Sequence, residues 1–160
     1  MEETFAVKHS QVEMVQLVLP NDTNQLGNLL GGQLMHWIDL AAAIAASRHS
    51  RCVCVTASVD ELNFIHPIKQ GEVVVLRASV NRVFRTSMEV GVIVLSENLL
   101  TGDVQHANSA YLTFVSIDDK GTPVPSPRLQ PESKDEQRRF ADALRRREER
   151  LRRRPRITTN

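Results

Sequence analysis

The sequence predicts an α+β fold, with one long helix laid on an antiparallel sheet, and three observations carry that expectation. Residues 31–48 (GGQLMHWIDLAAAIAASR) show no strand alternation and are rich in alanine. Four later segments are rich in Val, Ile, Thr and Phe, and turn signals separate them, which reads as hairpins or a meander.

Taken in order, residues 11–19 (QVEMVQLVL) alternate as a first strand, closed by the turn residues Pro20, Asn21 and Asp22. A loop rich in Asn and Gly runs to Gly32. The helix over 31–48 follows, and Arg48 and His49 suit its C-terminal, partially negative end. The strands are expected over 53–64, 72–84, 86–97 and 104–117, with turns at Pro67 to Gly71, at Arg85 and at Thr101 to Gly102. Residues 121–131 hold four of the seven prolines and read as a coil leaving the domain. The segment PESKDEQRRFADALRRREERLRRR is made of good helix formers and is expected to be a solvated C-terminal helix, fraying into 155–160.

At 160 residues the chain has room for one folded domain, expected at 1–127, followed by a basic helical extension at 128–160. The overall charge of +1 conceals an asymmetry. Residues 1–127 carry 8 Lys+Arg against 13 Asp+Glu, whereas 128–160 carry 12 against 6. A basic run of this kind usually marks a solvated helix, and no stacking aromatics accompany it, which argues against nucleic-acid binding. Cys52 and Cys54 lie two apart in an expected strand, where the extended backbone holds them about 7 Å apart, so two free thiols and a reducing compartment are expected. No Cys/His group has zinc spacing. The N-terminus has no apolar core of a secretory signal, and the longest apolar stretch, 34–46, is too short to span a bilayer, so a cytoplasmic protein is expected.

The helix is apolar on nearly every side, which calls for burial, and its alanines from Ala41 to Ala46 allow a sheet or a second helix to approach closely. Into it the sequence inserts Asp39, whose ionised carboxylate is expensive to desolvate without a partner. Two explanations stand: a structural carboxylate satisfied by a hydroxyl or a cation, or a catalytic one, since buried ionisable groups cluster in active sites. His36 lies three residues earlier on the same helical face, which makes a dyad conceivable; a histidine at a packed edge is the simpler reading, because no nucleophile adjoins it. Gly31 and Gly32 open the helix, and its first free N–H groups suit a developing oxyanion.

The ordered set NDTNQLGNLLGGQLMHWIDLAAAIAASRH, VTASVDELNFIHPIKQGE, RTSMEV, SENLLTG and YLTFVSIDDKGTPVPSPRLQPE resembles the acyl-CoA hydrolase family of hotdog thioesterases, over about residues 16–140. The piece F-x-x-P-I-x-x-G, here Phe64, Pro67, Ile68 and Gly71, is shared more widely among hotdog proteins. The resemblance implies a helix wrapped by an antiparallel sheet, with two protomers joined edge to edge and a trimer of dimers as a common assembly. It implies acyl-CoA as substrate, coenzyme A as product and no cofactor. It implies a catalytic pair from opposite subunits, falling here on Asn24 and Asp39. Gly31 and Gly32 would then polarise the thioester, and Arg85, Thr86 and Ser87 match the stretch near bound coenzyme A. Arg48, Arg51, Arg82 and Arg85 are the domain's candidate anion partners. Two positions depart from the family pattern: His36, and Leu30 where His or Phe is common. The alternatives are a dehydratase acting on acyl carrier protein, disfavoured because the helix carries Asp39 where that class has Glu, and a non-catalytic acyl-CoA binder.

Overall fold

A computed structural model describes residues 3–60 and 62–154. Its elements, in chain order, are strand β1 (Thr4–Ala6), strand β2 (Val12–Leu17), helix α1 (Gly31–Ser50), strands β3 (Val53–Val59), β4 (Val73–Val83), β5 (Ser87–Glu97), β6 (Val104–Ile117) and β7 (Arg128–Gln130), and helix α2 (Lys134–Arg153). Five strands form one antiparallel sheet in the order β2-β4-β5-β6-β3, which wraps α1 as expected.

The alternation along β5 shows how the sheet is built. Met88, Val90, Val92 and Val94 are buried and point to the α1 side, while Glu89, Gly91 and Ile93 point to the other. On α1 the buried positions Leu34, Trp37, Ile38, Ala41, Ala42, Ala45, Ala46 and His49 recur every three or four residues, which makes one continuous inner face. The four buried alanines of that face are fully inaccessible, so the sheet comes close to the helix backbone. Phe114 of β6, also fully buried, is among the largest side chains in the core below them. α1 ends at Arg51, whose left-handed backbone (φ 59°) turns the chain into β3 while its N–H donates to the Ser47 carbonyl at 2.8 Å.

Three expectations are corrected. The strand expected over 53–64 stops at Val59: beyond it the Asp60 N–H still donates to the Tyr111 carbonyl at 2.9 Å, but the described residues from Leu62 leave the sheet as a loop that returns through Pro67. The coil expected over 121–131 contains β7, which pairs in parallel with β1 and ties the two ends of the domain together. The helix expected to be solvated is instead docked on the sheet's outer face.

That docking rests on charge. The Glu89 carboxylate, 1% exposed, accepts from Arg146 Nη2 at 2.7 Å and Nε at 3.0 Å, and from Asn81 Nδ2 at 3.0 Å. The Arg146 guanidinium also lies 3.7 Å over the Tyr111 ring. Gly91 has no room for a side chain, since a Cβ there would meet Asn81 Nδ2 at 2.7 Å. A second pair, Arg150 with Asp60 at 3.6 Å, is loosely made; burial pushes the Asp60 carboxyl up and Arg150 draws it back. Ala143 is the one described residue of α2 that is fully buried. The expected fraying at 155–160 lies outside the described residues.

Candidate active site

Asp39 projects from the middle of α1, half-buried, and Thr56 Oγ1 of β3 donates to its Oδ1 at 2.7 Å. The register fixes this contact: Thr56 stands opposite Phe114, just before the bulge that shifts β3 against β6 at Thr56/Ser58. One carboxylate oxygen is thereby oriented and the other left available. No hydrogen bond joins Asp39 to His36 among the described residues; His36 is exposed, and the dyad is not formed. Thr56 was missed in the sequence, where a threonine in a β-rich segment carries no sign of its register.

Asn24 sits in the loop before the helix, and its Oδ1 accepts the N–H groups of Leu26 at 2.9 Å and Asn28 at 3.2 Å. Its own N–H donates to the Asn28 carbonyl at 2.8 Å. The carbonyl side of the amide is thus spent on shaping the loop, which is fastened to the segment leading into β4 through Leu29 N–H to Ile68 O at 2.7 Å. What Asn24 has left to offer is its Nδ2 donor pair. Gly31 and Gly32 form the first turn of α1, and no side chain caps it, so the first-turn amides are open to a ligand oxygen. The ring of Phe64 covers Gly31, where a Cβ would meet it at 3.3 Å, whereas the space over Gly32 is clear.

Within one chain these groups are not all brought together. The loop of Asn24 is tied to the β4 entry, since Asn28 bridges Lys69, whereas Asp39 lies more than two helical turns beyond Gly31. Arg85, Thr86 and Ser87 form the turn between β4 and β5 at the opposite end of the sheet, held by Ser116 N–H to Thr86 O at 3.0 Å. The face that carries Asp39 is open. Leu40 and Ile44, one turn apart, form an exposed apolar strip on α1, Met35 is exposed nearer its start, and β3 pairs on one edge only, with Val53, Val55 and Val59 among its exposed side chains. A bare strand edge beside apolar surface is a template for a further strand. Among the described residues no group of three or more His, Cys, Asp or Glu could hold a metal, and no helix is long and apolar enough to cross a membrane.

A helix wrapped by a curled antiparallel sheet, with a hydroxyl-bound aspartate inside the helix, defines a thioesterase-type hotdog protein. The pattern of the thioesterase superfamily matches residues 26–102. An uncharacterised acyl-CoA thioester hydrolase of Bacillus subtilis, YkhA, is 46% identical over 134 residues, which is 84% of this chain and 78% of that one. Among solved structures, an apo-hexameric acyl-CoA thioesterase superposes with a TM-score of 0.92 at 38% identity, covering 94% of this chain and 97% of that chain. The Staphylococcus aureus acyl-CoA hydrolase, solved with butyryl coenzyme A, coenzyme A and coenzyme A disulfide, superposes with a TM-score of 0.88 at 35% identity, covering 94% and 92%. It has also been solved with alanine in place of one aspartate, one asparagine or one threonine. The chain belongs to the acyl-CoA thioester hydrolases of the thioesterase superfamily.

Proposed function

We propose that this protein hydrolyses fatty acyl-CoA to the free acid and coenzyme A, with Asp39 as general base or nucleophile and Asn24 with the Gly31 and Gly32 amides polarising the thioester carbonyl. The observation that carries the reading is the Thr56 hydrogen bond to Asp39, which orients a half-buried carboxylate at the open face of the molecule. A carbonyl under attack gains negative charge, and donors fixed beforehand stabilise it without reorganising. The Nδ2 group of Asn24 and the uncapped first turn of α1 are such donors. The Asp, Asn and Thr replaced in the Staphylococcus aureus hydrolase have the same spacing along that chain as Asn24, Asp39 and Thr56 have along this one, which supports grouping these three.

Because one chain leaves Asn24 and Asp39 apart, the reading includes a second copy set against the bare β3 edge, so that each site draws Asn24 from one protomer and Asp39 from the other. The hexameric relative supports a trimer of such dimers. The two free thiols, Cys52 and Cys54, suit the cytoplasm. In the test, Asp39→Asn retains the assembly by size-exclusion chromatography and loses about 100- to 10,000-fold in kcat, followed by release of free coenzyme A thiol. Turnover at the original rate in that variant removes Asp39 from the mechanism.

A further inference from the structure

Five of the eight arginines of α2, Arg138, Arg139, Arg145, Arg146 and Arg150, are paired with a carboxylate. Arg147 does not: its Nη1 reaches Ser87 Oγ at 3.5 Å, and its guanidinium lies 4.1 Å over the Phe84 ring. Arg82 shares that ring at 5.8 Å and is held from the other direction by the Phe140 carbonyl at 3.0 Å and the Phe140 ring at 4.0 Å. Arg85 is exposed in the turn next to Phe84. Among the described residues none of Arg82, Arg85 and Arg147 has a carboxylate within salt-bridge distance. Burial and then the like charge of Arg147 push the Arg82 guanidinium below its usual range, with Glu148 opposing.

Two guanidiniums, Arg82 and Arg147, share the Phe84 ring with no carboxylate within salt-bridge distance and repel one another, and a polyanion beside them relieves that repulsion. Guanidinium forks match phosphate oxygens in geometry as well as charge. The place is also right for a substrate whose thioester lies at Asp39. Thr56, Phe114 and Met88 stand in one row across β3, β6 and β5, so Met88 is roughly 10 Å, two strand spacings, from Thr56 along the sheet, and Ser87, which Arg147 reaches from the outer face, adjoins it.

Resting on the function proposed above, we propose that Arg147 of the C-terminal helix joins Arg82 and Arg85 to hold the phosphate-bearing nucleotide end of coenzyme A. The helix then does more than cover the sheet, because it supplies a binding residue to a site otherwise built from the β4–β5 turn.

Coenzyme A itself is the probe, titrated by calorimetry into the full-length protein, Arg147→Gln, Arg147→Glu and the control Arg152→Gln on the exposed end of the helix. Loss of one charge-assisted contact predicts a Kd for coenzyme A about tenfold weaker in Arg147→Gln, weaker still in Arg147→Glu and unchanged in Arg152→Gln. The KM for the matching acyl-pantetheine thioester, which has no nucleotide, stays within about twofold. A coenzyme A affinity within about twofold of the parent in both folded Arg147 variants overturns the assignment, as does an equal rise in KM for the pantetheine thioester, which marks a structural effect of the helix. The titration needs no turnover, so a protein that binds coenzyme A but hydrolyses no thioester refutes the function and leaves this site standing.

Discussion

The two long helices, each of 20 residues, lie on opposite faces of one sheet and are held there by different physics. α1 buries an uncharged face of Leu, Trp, Ile and Ala against the valines of β4 and β5, and contributes a single carboxylate at its margin. α2 buries little beyond Ala143 and is held by guanidiniums that reach Glu89, Tyr111 and Asp60. Apolar burial is non-directional and summed over many contacts, so α1 tolerates an open stripe on its far side. A buried ion pair is worth having only while both partners are present, so α2 depends on a few atoms.

The largest break of this contrast comes from Arg146→Ala, which strands the Glu89 carboxylate beneath the helix. It is expected to destabilise the protein by about 3 kcal/mol, read as a lower denaturation midpoint at unchanged slope, and to free α2 for proteolysis. Glu89→Gln, which keeps the shape and removes the charge, is expected to cost less; equal losses would mean that packing rather than charge holds the helix. On the other face, Thr56→Val removes the hydrogen bond to Asp39 at little cost to stability and is expected to lower kcat about tenfold. A large shift in midpoint without a change in kcat would instead assign Thr56 to the fold.

The smallest effect concerns the point where α1 meets the chain that leads to α2. His49, fully buried, faces the Pro127 carbonyl at 2.8 Å through Nε2, while its Nδ1 has no partner and Phe5 packs edge-on to its ring at 5.9 Å. Burial holds its pKa below the ordinary value of 6.5, with the His9 charge adding to that and the Pro127 contact opposing. The unfolded chain then binds the proton that the folded one refuses, so this contribution is complete above pH 6.5 and declines as the pH falls below it. A single group sets a slope of at most about 1.4 kcal/mol per pH unit, seen as a falling Tm between pH 7 and pH 5, and His49→Phe is expected to flatten it.

The same contrast explains what could be read without coordinates. α1 was legible because its alanine-rich run shows no strand alternation, and its one anomalous residue, Asp39, stood out against alanine and leucine. The four main strands were legible from β-branched runs, and β6 was found to the residue, 104–117. α2 was legible as a helix but not as a docked one: arginine spacing looks the same whether a guanidinium meets water or a glutamate 57 residues away. Thr56 was invisible for a related reason, since the 17 residues that separate it from Asp39 become a 2.7 Å contact only once the register of β3 on β6 is set.

By itself, then, the sequence determined the helix, the strands and the carboxylate, because propensity and hydrophobic period act over a few neighbouring residues. Only the tertiary structure decided where β3 leaves the sheet, that the segments at either end of the domain pair as β1 and β7, which hydroxyl orients Asp39, and that the basic segment clamps the outer face. Each of those outcomes is a meeting of polar groups distant in the chain, whose strength depends on distance and burial.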